Sequence, residues 1–243
     1  MNGPAHARDR RATANGGGLA INGREVEVRW RVHARARGIK LNIDQREASV
    51  IVTLPPGMSR RRGEEMLARN AAWVRDRIAA LPERIPFADG AAVPVLGHPI
   101  CIRHRPDARR GVWAENGEIQ VSGRAEHLSR RVGDWLKKRA LEEIAPRALD
   151  KADTLGCTAG RVRVREMRSR WGSCSARGDL AFCWRLVLSP EEVLDYVIAH
   201  EVAHLVEMNH GPAFWQTVAR LADDVSGPRG WLRAYGNRLH RYG

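Results

Sequence analysis

The sequence predicts an α+β fold, and three observations predict it. Apolar and polar residues alternate with strand period in two stretches of the first half. Helical spacing of apolar residues follows each stretch, and the last third contains a helix with a strong start signal. At 243 residues and 43% hydrophobic content, the chain is long enough to bury a core as one large domain or two small ones.

The first 18 residues are small, polar and basic and end in Gly16-Gly17-Gly18, which predicts a disordered tail. Residues 19–34 (LAINGREVEVRWRVHA) alternate around an Asn22-Gly23 turn, and IKLNI and SVIVTLP add two strands between residues 39 and 55, making a small antiparallel sheet. Ser59 precedes a helical pattern of Met66, Leu67, Trp73, Val74, Ile78 and Leu81 that Pro82 halts. Strand signals return in VPVLGHPICIRH and in GVWAENGEIQVSG, which turns at Asn116-Gly117. Leu128, Val132, Trp135, Leu136, Leu141 and Ile144 then mark a basic helix up to about residue 154. The expected organisation is a tail over 1–18, a β-rich part with one helix over 19–126, and a catalytic part over 127–243.

The chain carries 41 Lys+Arg against 28 Asp+Glu, a formal net charge of +13. Residues 1–160 hold 29 Lys+Arg against 19 Asp+Glu, so any contact with nucleic acid or nucleotide through the basic surface is expected to involve the N-terminal part. Cys101, Cys157, Cys174 and Cys183 form no C-x-x-C pair, which argues against a disulfide framework and a cysteine zinc site. No run of about 18 apolar residues and no apolar leader is visible, so a cytoplasmic protein without membrane contact is expected.

The chemistry concentrates in HEVAHLVEMNH, residues 200–210. Ser189 as N-cap, Pro190 at the first helical position and Glu192 closing a capping box predict a helix that carries His200 and His204 one turn apart on one face. Leu194, Ile198, Val202 and Leu205 form a separate apolar stripe, so the imidazoles are buried and need polar partners. H-E-x-x-H is the pattern in which two neutral imidazoles bind Zn²⁺ and the intervening glutamate, here Glu201, is the general base. His210, six residues on, is the candidate third ligand. Metzincins have a glycine where Glu207 stands, so the reversal is expected at Asn209, which tolerates a left-handed conformation, and at Gly211-Pro212.

Upstream, Arg161–Met167 and Leu180–Leu188 read as strands on either side of Trp171-Gly172-Ser173-Cys174-Ser175. An exposed strand edge there could hold an extended peptide, or Trp171 could be core and Gly172 a bend. Together, RSRWGSCSARGDL, WRLVLSP and VIAHEVAHLVEMNHGPAFW resemble the YgjP-like metallopeptidase domain, a branch of gluzincin-like zinc hydrolases related to the SprT and Wss-type proteases. The resemblance is strongest over 168–215. It implies a zincin-like catalytic part with the H-E-x-x-H helix at its centre, zinc held by His200, His204 and His210, and Glu201 as the base. Arg170, Trp171 and Ser173 are the candidate substrate contacts. Members usually carry Asn where Cys183 stands, a departure that touches whatever polar contact is made there.

The function expected is a zinc-dependent hydrolase acting on a peptide or protein. Two alternatives are hydrolysis of a nucleotide phosphoanhydride and nucleic-acid binding with a structural metal. Tyr196 reads as a structural hydroxyl, Phe214 and Trp215 as part of a core-packing helix, and His240 as a surface residue.

Overall fold

The computed structural model describes residues 14–21, 24–45 and 47–243. Packing divides the chain at Leu81/Pro82 into two compact units. Among the described residues, three sheets of mixed parallel and antiparallel pairing and six α-helices make the fold α+β.

The first unit contains β1 (Ala14–Ile21), β2 (Arg24–Val32), β3 (Lys40–Asp44), β4 (Ser49–Leu54), α1 (Arg60–Arg69) and α2 (Ala71–Ala79). Its sheet has the order β1-β2-β4-β3, two hairpins laid side by side with β2 and β4 parallel. Alternation in β2 and β4 buries Val26, Val28, Trp30, Val50, Val52 and Leu54 against Leu67 of α1 and Val74 of α2. The expected tail lies outside the described residues up to residue 13, and the Asn22-Gly23 turn lies outside them as well. Gly16–Gly18 instead belong to β1, because a ladder needs only main-chain groups and β2 offers them. The single helix expected after Ser59 is two, divided at Asn70, whose side-chain amide donates to Met66 O at 2.8 Å.

The second unit begins with β5 (Ala92–Val95), β6 (His98–Arg105), β7 (Val112–Glu115) and β8 (Glu118–Ser122), again two hairpins joined through their second strands in the order β5-β6-β8-β7. Leu96-Gly97 and Asn116-Gly117 have positive φ at both positions, the requirement of the tight turn that matches strand twist. Helix α3 (Leu128–Thr154) buries one residue in four, from Leu128 through Ile144 to Ala152. Val93, Ile102, Ile119 and Val121 share one core with this face of α3, so the strands of 92–122 belong by packing with the helices that follow them.

β9 (Val162–Arg165), β10 (Gly172–Cys174) and β11 (Leu180–Cys183) form a third sheet with β10 at its edge. The strand expected over 180–188 ends at Cys183 and gives way to a 3₁₀ turn, Trp184–Leu188. The remaining helices are α4 (Glu191–Ala203), α5 (Pro212–Leu221) and α6 (Ser226–Leu239). No helix among the described residues is long and apolar enough to cross a membrane.

Candidate metal centre

Helix α4 carries the candidate ligands. It starts one residue later than the capping-box reading, with Pro190 at the N-cap, while the Ser189 hydroxyl donates to Leu186 O at 2.7 Å and closes the preceding 3₁₀ turn. Glu191 and Glu192 in the first turn complement the helix dipole. The helix is buried on most of its circumference, but His200 in its last turn and His204 at its C-cap are half-buried and His210 is exposed, rather than all buried as the apolar stripe suggests.

The reversal that returns His210 uses no left-handed residue. Asn209 keeps a negative φ, and the turn is built from Val206 and Glu207 N–H groups donating to Ala203 O and from Gly211 N–H donating to Asn209 O. Pro212 then starts α5, placing Phe214 with its ring 4.6 Å from those of His204 and His210 and 4.9 Å from that of His200. Phe214 is thus an apolar floor under the three imidazoles.

One ring nitrogen from each of His200, His204 and His210 lies within 4.8 Å of the others, and the Nε2 atoms of His200 and His210 are 3.1 Å apart. Nitrogens sharing a tetrahedral cation at the usual bond length of 2.0–2.1 Å stand about 3.3 Å apart, so the His200–His210 pair already has the spacing of a shared ion, and the His204 nitrogen lies within 4.8 Å of both. His204 Nδ1 is 2.9 Å from Glu207 O; a carbonyl only accepts, so Nδ1 carries the proton and Nε2 keeps its lone pair. His200 Nδ1 is buried without a hydrogen-bond partner among the described residues, while its Nε2 faces His210. Burial, then the neighbouring His204 and His210, hold His200 down to about 4, and burial also lowers His204. Both are neutral at pH 7, as metal ligands must be. Three imidazoles suit zinc and also accept copper, nickel or iron.

Glu201 follows His200 on the helix and is only 6% exposed. Burial raises its carboxyl to about 7, against the charge of Arg170 and a hydrogen bond from the Cys174 N–H. Beside it opens a cavity of about 500 Å³, whose wall includes Arg170, Trp171, Ser173, all three histidines and Glu201. The structure therefore brings His200, Glu201, His204 and His210 and the three candidate substrate contacts to one cleft. It adds Cys174, Met208 and Leu232 to the wall, and brings there Tyr196, which the sequence suggested only as a structural hydroxyl. Tyr196 is both core and wall, since its side chain is buried yet reaches the cavity.

Trp171 is likewise both. Its ring stacks on His240 at 5.0 Å and lies against Gly236 of α6, while it also borders the cavity. His240 is consequently buried rather than a surface residue, a contact between residues 69 positions apart that no local pattern announces. At the position of departure from the family, the buried Cys183 thiol contacts Met167 O at 3.7 Å, and burial pushes its pKa up.

The family model of the YgjP-like metallopeptidase domain matches residues 37–235. Among solved structures, the crystal structure of the metallopeptidase zymogen of Pyrococcus abyssi abylysin aligns at 21% identity and a TM-score of 0.35, covering 41% of this chain and 97% of that one. No curated protein matches. With four-fifths of its length accounted for by one family model, the chain belongs to the YgjP-like metallopeptidases, a family of metal-dependent peptidases.

Proposed function

We propose that the chain is a zinc-dependent peptidase in which His200, His204 and His210 hold the ion and Glu201 is the general base. The observation that carries this reading is the convergence of three imidazoles beside a buried carboxyl in a cleft bordered by a strand edge. A bound zinc ion supplies Lewis acidity toward a water and toward the substrate carbonyl. Glu201 accepts a proton from the attacking water and returns it to the departing amine nitrogen. Its burial removes hydration from the carboxylate and makes it a stronger base than an exposed glutamate.

The edge of β10 supports an extended peptide substrate. Cys183 N–H donates to Trp171 O and Ser175 N–H to Asp179 O, so the odd-numbered residues of this stretch pair with β11 and the main-chain groups of Gly172 face the other way. Arg170, Trp171 and Ser173 line the adjoining wall and contact the substrate in this reading. The test is metal analysis of untagged protein together with a screen of peptides and nucleotides, using wild type and Glu201→Gln. One equivalent of zinc and peptide cleavage lost in the variant support the proposal. Turnover of nucleotides alone would transfer it to phosphoanhydride hydrolysis, and a metal without any turnover to a structural site.

A further inference from the structure

Gly172 stands where a side chain cannot. It is buried in β10 with an ordinary strand backbone rather than a positive φ, so conformational freedom does not explain a glycine there. A β-carbon built on it would overlap Cγ of Glu201 and lie 2.6 Å from its Oε1 and 2.7 Å from its Cδ. Ordinary contact with a β-carbon begins at about 3.4 Å, so any residue but glycine forces the carboxyl back by about 1 Å. Two residues on, Cys174 gives its N–H to the same carboxylate. The strand therefore leaves room for the Glu201 side chain at one position and grips its end at the next position on that face.

We infer that Gly172 is a positioning residue for Glu201: its missing side chain is the space in which the carboxyl is seated. The inference rests on the proposed role of Glu201 for its effect on turnover, though not for the contact itself. Glu201 is flexible and Gly172 has an unstrained backbone, so Gly172→Ala should fold with the carboxyl displaced. A misplacement of 1 Å is enough to cost about 100-fold in rate.

The experiment is a cycle of four proteins: wild type, Gly172→Ala, Glu201→Ala and the double variant. Melting temperature is measured without metal, and kcat, KM and zinc affinity are measured with it. The expected result is a kcat about 100-fold lower in Gly172→Ala, with KM and zinc affinity within about three-fold of wild type. Gly172→Ala should also lower the melting temperature by about 5 °C when Glu201 is intact but leave it unchanged in the Glu201→Ala background, because the truncated side chain no longer meets the added methyl. Equal losses in both backgrounds, failure of Gly172→Ala to fold in either of them, or an unchanged kcat overturns the inference. If Glu201→Gln in the wild-type background keeps its turnover, the base assignment fails, and the melting-temperature coupling still reports independently on the contact.

Discussion

Replacing Glu201 with Gln should stabilise the metal-free protein, and by an amount that depends on pH. The native carboxyl titrates at about 7 because it is buried, whereas in the unfolded chain it titrates near 4.5. Between these values the native state holds a proton that the unfolded state has released, so stability falls as pH rises through the window. One pH unit of difference corresponds to about 1.4 kcal/mol. At pH 8, where the carboxyl is ionised in both states, the full interval applies and the ionised group costs roughly 3 kcal/mol. At pH 5 most of the window has been left behind and the cost is roughly 1 kcal/mol. Glutamine has the shape of the protonated acid and carries no charge at either pH. The variant should therefore melt roughly 6–12 °C above wild type at pH 8 and roughly 2–4 °C above it at pH 5. The assay is calorimetry in chelator, where His200 and His204 contribute equally to both proteins and cancel. A variant that is less stable than wild type, or a difference that does not shrink on acidification, would falsify the account of Glu201 as a desolvated carboxyl.

Three further outcomes are expected. His210→Ala should weaken zinc binding by orders of magnitude, measured by competition with a chromophoric chelator; unchanged affinity removes His210 from the site. Adding zinc at 100 times its dissociation constant should raise the stability of the metal-free wild type by about 2.7 kcal/mol, and thermal melts of the His200→Ala protein should show no such gain. Phe182, wholly buried in β11, should cost about 3–5 kcal/mol when cut to alanine, read from denaturant unfolding; a loss under about 1 kcal/mol would mean the third sheet is not part of the cooperative core.

What the sequence made legible was what local geometry determines. His200, Glu201 and His204 could be placed relative to one another because a helix sets their spacing, and the Asn116-Gly117 turn because its φ requirement selects those residues. The third ligand was visible only as a spacing. Its return path depends on hydrogen bonds to Ala203 O and Asn209 O that carry no residue signature, which is why the left-handed Asn209 did not materialise. Contacts between distant segments were not legible at all. Nothing near Gly172 in the chain announces Glu201, and nothing near His240 announces Trp171. The strands of 92–122 were recognisable as strands, but alternation says which face is buried and not which helix covers it. Nor did the residues betray that both four-stranded sheets have the same strand order, since different side chains satisfy the same main-chain pairing.

The hold that Glu207 has on the His204 ring comes from its carbonyl and not from its side chain. Every amino acid brings that acceptor, so substitution at 207 alone does not remove it. The alignment of one imidazole is thereby made heritable through the course of the backbone, and position 207 is released to drift, or to be redesigned, while the geometry at the neighbouring ring is preserved. What the site requires of this loop is its path, and an insertion or deletion between residues 204 and 210 should harm it more than a change of any side chain between them.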